Sequence, residues 1–109
     1  MEREEMTMRR ANRVDGNHAE IREGLRKCGI VVADTSSVGN GHPDLLCGNP
    51  RTRRLVLLEV KMPGKKRTQM EEEFAKKWSA FPVHTVTSID EALCAVGEVQ
   101  KVAEKAKRE

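Results

Sequence analysis

The sequence predicts one small α/β domain: a short mixed β-sheet flanked by helices, in the order helix, three strands, helix, strand, helix. Three observations lead there. Ile21, Leu25 and Cys28 recur at helical spacing and stop at Gly29, a residue suited to closing a helix. Two strand-like runs, Asp44-Leu45-Leu46-Cys47 and Leu55-Val56-Leu57-Leu58, flank the turn-forming Asn49-Pro50-Arg51-Thr52. Two capping boxes, Thr68-Gln69-Met70-Glu71 and Ser88-Ile89-Asp90-Glu91, open helices on either side of the alternating Val83-His84-Thr85-Val86.

Taken in order, residues 1–14 are charged and without periodicity, an arm in which Arg10 and Arg13 either touch phosphates or are simply solvated. The domain proper spans 15–100. Asp15-Gly16-Asn17 supplies capping residues for a helix to about Lys27, with Glu20 beside its buried stripe and His18 at its start. Ile30 to Ala33 is β-branched and apolar, hence a strand, and a glycine-containing loop through His42 delivers the chain to Asp44. The fully apolar Leu55 to Leu58 is expected to be buried on both faces. Pro63-Gly64 breaks this strand, and the basic Lys65-Lys66-Arg67 follows. Met70, Phe74, Trp78 and Phe81 then recur at helical spacing and predict a core-facing stripe. The last helix carries Ile89, Leu93 and Val96 on its apolar side, and residues 101–109 form its polar end.

Composition excludes several classes. With 109 residues there is room for a single core, burying about two thirds of the unfolded surface. No apolar run approaches a membrane span, and the charged first five residues are no secretory signal. Cys28, Cys47 and Cys94 are odd in number and widely spaced, which suits reduced thiols of an intracellular protein and not zinc ligands. The net charge of +3 is small, so the placement of basic residues says more than their excess.

The chemistry concentrates in the hairpin. With its turn centred near Arg51 and Thr52, Asp44 falls opposite Glu59, give or take a residue. Glu59 and Lys61 share a strand face, so two carboxylates and a lysine converge. Close carboxylates cannot both ionise cheaply without a cation between them. Hard oxygen ligands suit Mg²⁺ or Mn²⁺, which can activate water and neutralise charge developing on a phosphate. Lys61 adds a point charge able to orient the water or stabilise the phosphate oxygens. For a lone Glu-x-Lys, a surface ion pair of little consequence is the plainer explanation. The Pro43-Asp44 at hairpin distance favours a site.

Pro43-Asp44 followed by Glu59-Val60-Lys61 resembles the signature of the PD-(D/E)XK nuclease superfamily. The segment Gly41-His42-Pro43-Asp44-Leu45 resembles that of the small standalone VRR-NUC nucleases of bacteria and phages, and the likeness runs from about Arg9 to Val96. The Val-Arg-Arg tripeptide that names this family is absent; the corresponding segment reads Val86-Thr87-Ser88. The resemblance implies a restriction-endonuclease-like core in which Asp44 and Glu59 hold the metal. It further implies the Val60 carbonyl as another ligand, Glu20 of the first helix as an outer or second-metal ligand, Gln69 near the site, and Lys61 positioning the water. Arg10, Arg13, His42, Lys65, Lys66 and Arg67 are the expected DNA contacts.

The expected activity is metal-dependent DNA endonucleolysis on branched substrates such as four-way junctions. The implied protein is a homodimer in the bacterial cytoplasm, encoded by the bacterium or by a phage. Two other expectations stay open: a DNA-binding module of the same fold that does not cleave, and an accessory subunit of a larger repair or phage DNA-processing complex.

Overall fold

Residues 14–97 are described by the structure, a computed structural model of the chain. The elements follow the expected order: α1 (His18–Lys27), β1 (Val31–Asp34), a single 3-10 turn (Ser36–Val38), β2 (Leu45–Asn49), β3 (Arg54–Val60), α2 (Gln69–Lys77), β4 (Val83–Val86) and α3 (Ile89–Ala95). The charged arm through Arg13, including Arg10, and the polar end at 101–109 lie outside the described residues.

The four strands form one mixed sheet in the order β1-β2-β3-β4. β1, β2 and β3 are antiparallel neighbours, whereas β4 runs parallel to β3 after the crossover through α2. The hairpin turn closes where its residues demand it. Asn49 pairs with Arg54, Arg53 takes a left-handed conformation (φ 61°), and its amide donates to the Asn49 carbonyl at 2.7 Å. The buried Asn49 amide group donates to the Val96 carbonyl at 2.7 Å, tying the turn to the end of α3.

Alternation decides which face is core. Val32 of β1, Leu45 and Cys47 of β2, and Val56, Leu58 and Val60 of β3 point to the face covered by α1 and α3. There they meet Ile21, Leu25, Ala92 and Val96. Leu25 is wholly buried, and truncating such a leucine to alanine costs about 2–5 kcal/mol. Gly24 lets the two helices touch, since a Cβ there would run into the Ile89 side chain.

Two expectations about burial fail. The Leu55–Leu58 run is not covered on both sides, because Leu55 is 66% exposed and only Val56 and Leu58 are fully buried. No residue of α2 is buried either. Met70, Trp78 and Phe81 are about half exposed, and the helix stops at Lys77, short of Phe81, so their spacing marks an apolar stripe that no described element covers, not a core face. The rings meet one another instead. Phe74 and Trp78 lie nearly parallel with centroids 5.5 Å apart, and Trp78 meets Phe81 at the same separation.

Candidate functional site

The register places the two carboxylates as the turn position predicts. Leu45 pairs with Leu58, so the next position outward sets Asp44 opposite Glu59. The Asp44 amide donates to the Leu58 carbonyl (2.9 Å), and its carboxylate accepts from the Val60 amide (2.8 Å). Both strands alternate, so Asp44 and Glu59 project to the face opposite the α1–α3 core. Lys61 follows on the same side. Glu59 and Lys61 are nevertheless among the most buried charged residues, at 4% and 7% exposure.

A third acid completes the cluster. Glu71, in the first turn of α2, holds the Lys61 ammonium at 2.9 Å, and Glu59 lies 3.8 Å from the same nitrogen. Glu71 also closes the capping box, accepting from the Thr68 amide at 2.7 Å while Thr68 Oγ1 accepts from the Glu71 amide. The glutamate that caps the helix therefore also anchors the lysine. The sequence offered only the first of these roles; the second was open to anyone noting that the box opens the helix that leaves the strand end carrying Lys61.

Burial sets the protonation of the cluster. Burial, reinforced by the hydrogen bond its proton makes to Glu71 and by the charges of Asp44 and Glu71, pushes the Glu59 carboxyl up to about 10. Glu59 thus keeps its proton at neutral pH and shares it with the two carboxylates beside it. Asp44 is also raised, by burial, against the opposing pull of the Val60 amide and the nearby His18. Burial works against ionisation of Glu71 too, but the bonds from Glu59, the Thr68 amide and Lys61 outweigh it and hold Glu71 below its ordinary value. Burial likewise opposes the charge on Lys61, and Glu71 and Glu59 overcome it.

Above the cluster opens a cleft of about 350 Å³, lined among others by Asp15, His42, Asp44, Lys61, Lys65 and Glu71. Its loop wall needs Gly41: φ there is +80°, and a Cβ would collide with the Met70 carbonyl at the start of α2. The opposite wall is the start of α1. Asn17 caps nothing with its side chain. It donates instead to the Lys61 and Thr87 carbonyls (3.0 and 2.8 Å), clamping the helix to the ends of β3 and β4. Asp15 does likewise, accepting from the Met62 amide at 2.6 Å with Lys65 3.5 Å away.

Of the residues expected at the site, the structure brings together Asp44, Glu59, the Val60 backbone and Lys61, with His42 and Lys65 on the rim. It leaves Glu20 outside. The stripe through Ile21 and Leu25 faces the core, which puts Glu20 on the exposed side, without a hydrogen bond or ion pair among the described residues. The residue on the inner side is His18. It is 3% exposed, and its Nε2 stands 3.7 Å from Asp34 with no hydrogen-bond partner among the described residues. Gln69 also turns away, to Glu73 (3.4 Å). Arg67 donates to Thr85 Oγ1 at 2.8 Å, and Lys66 is exposed. Arg10 and Arg13 fall outside the described residues.

The donor set is all oxygen, as a hard divalent cation requires. Among the described residues no three His, Cys, Asp or Glu side chains form a ready-made cage. Two carboxylates with a neighbouring backbone carbonyl and water fit the coordination that Mg²⁺ favours.

Comparison with protein-family models, curated proteins and solved structures finds no match. Among the described residues the fold is an α/β domain with a four-stranded mixed sheet and three helices. No helix among the described residues is long and apolar enough to cross a membrane.

Proposed function

We propose that the protein is a divalent-metal-dependent endonuclease that hydrolyses phosphodiester bonds in DNA and prefers branched structures such as four-way junctions. The observation that carries this reading is the convergence of Asp44 and Glu59 from adjacent strands beneath an open cleft, with Lys61 fixed beside them by Glu71. Three antiparallel strands, a crossover helix and a fourth parallel strand support a restriction-endonuclease-like core.

Asp44 and Glu59 would hold Mg²⁺ or Mn²⁺, with the Val60 carbonyl alongside. When bound, the metal supplies activation of water and neutralisation of charge developing on the phosphate. The chain's own residues do the rest. Lys61 keeps its charge because Glu71 opposes the cost of burial, so an ammonium donor stands ready for the attacking water or a phosphate oxygen. A cation held there would require Glu59 to lose its proton, so metal affinity would rise with pH. Lys65 and His42, on the cleft rim, are placed for phosphate contacts that orient the strand without reading its sequence. A homodimer would present two such sites about a two-fold axis, which suits paired nicks in a symmetric junction.

The test is cleavage of an end-labelled four-way junction and of linear duplex with Mg²⁺, with Mn²⁺ and with EDTA. Metal-dependent cutting that favours the junction is expected. Equal rates on the linear duplex would remove the structural preference. Tight binding with no cutting under either metal would replace the nuclease with a DNA-binding module.

A further inference from the structure

The uncovered aromatic stripe of α2 begins at the cleft. His42 lines the cleft and meets Phe74 edge-on, with ring centroids 5.2 Å apart. Phe74 stacks on Trp78, and Trp78 meets Phe81 at a tilt of 53°. The rings thus form a continuous run leading outward from the candidate site. Along it exposure rises: Phe74 is partly buried, Trp78 is 42% exposed and Phe81 is 57% exposed. Rings meant for a core would be covered, and among the described residues no element covers these.

The surrounding charge says what could cover them. Lys76 and Lys77 end the same helix, both exposed and without an ion pair among the described residues. Lys77 also borders a small groove of about 110 Å³ beside Phe74, together with Asn40, Met70 and Glu73. The acids of the helix are engaged locally: Glu71 with Lys61, Glu72 with Arg67 and Glu73 with Gln69. Exposed rings flanked by lysines are the pairing that single-stranded nucleic acid uses, bases on the π-faces and phosphates on the cations.

We propose that the Phe74–Trp78–Phe81 run is a stacking platform for unpaired bases next to the phosphate held in the cleft, so that the substrate class is DNA with a single-stranded element at the cut. This rests on the nuclease reading for the position of the phosphate, but base stacking can be measured without cleavage. A second copy of the chain is the competing cover for an apolar stripe, and concentration dependence separates the two.

Trp78 is the only tryptophan, and the chain has no tyrosine, so intrinsic fluorescence reports from this one place. Full-length protein in EDTA is titrated with oligothymidylate and with blunt linear duplex, and cleavage of a flapped duplex is measured separately with Mg²⁺. The proposal expects quenching of Trp78 by oligothymidylate and not by blunt duplex. In anisotropy with a labelled oligothymidylate, Trp78→Ala should weaken binding by roughly fivefold to a hundredfold, and Trp78→Phe should restore most of it. Because Trp78 is half exposed at the helix end, both variants are expected to fold, which circular dichroism checks.

Metal-dependent cleavage with no quenching by oligothymidylate would overturn the platform and leave the nuclease standing. Quenching without any cleavage would support the platform and sink the nuclease. Emission that follows protein concentration alone, with a matching shift in gel filtration, would assign the stripe to a dimer interface and overturn the proposal.

Discussion

Replacing Glu59 with glutamine should strengthen the metal-free fold while destroying its function. The Glu59 carboxyl is pushed from an ordinary 4.5 up to about 10. Between those values the folded chain holds a proton that the unfolded chain has lost. Stability contributed by this group is therefore complete below pH 4.5 and falls as pH rises towards 10. Each pH unit in that window costs about 1.4 kcal/mol, so at neutral pH the cost is at most about 3 kcal/mol. Glutamine has the shape of the protonated acid and can donate to Asp44 or Glu71 without taking up a proton. Glu59→Gln should thus raise the melting temperature of metal-free protein at neutral pH, on the order of 10 °C for a domain of this size. The gain should vanish near pH 4.5, and added Mg²⁺ should stabilise the wild type but not the variant. Thermal melts at several pH values, with and without Mg²⁺, read all three effects. A variant less stable than wild type at neutral pH, or one stabilised equally by Mg²⁺, would refute the protonated carboxyl and its link to metal.

Other consequences follow from the same geometry. Glu71→Gln keeps an acceptor for the Thr68 amide but removes the charge facing the buried Lys61, so cleavage should fall about tenfold and the melting temperature should fall with it. Gly41→Ala forces a side chain into a left-handed position against the Met70 carbonyl and should cost about 1–3 kcal/mol in denaturant unfolding. Cys47 is buried and its thiol is pushed up to about 12, whereas Cys28 and Cys94 are exposed. A thiol-reactive dye should therefore label Cys28 and Cys94 in the native protein and reach Cys47 only after denaturation.

The legible parts of the sequence were those that depend on neighbours along the chain. The turn at Asn49-Pro50-Arg51-Thr52 fixed the register, and with it the meeting of Asp44 and Glu59, because hairpin pairing is set by loop length. The order of elements followed from caps, glycines and periodicity, with β1 displaced by one residue from the expected strand. What escaped depended on what lies opposite. Periodicity identifies the stripe of Met70, Phe74 and Trp78 but cannot say whether anything packs on it. The same limit misjudged Leu55, which is 66% exposed with no layer above its outer face among the described residues.

On α1 the phase was available: a residue three before Ile21 belongs on the buried face, which selects His18 over Glu20. The double role of Glu71 and the reach of Asn17 to Lys61 and Thr87 are tertiary facts, spanning parts of the chain that no local pattern connects.

The most direct measurement of the central claim is Mn²⁺ binding to the isolated protein, followed by the electron paramagnetic resonance signal of the free ion, for wild type and Asp44→Ala. Wild type is expected to bind Mn²⁺ more tightly as pH rises, because Glu59 must lose its proton, and Asp44→Ala to lose that binding while the fold is retained. No Mn²⁺ uptake at any pH, or uptake unchanged in Asp44→Ala, would contradict it.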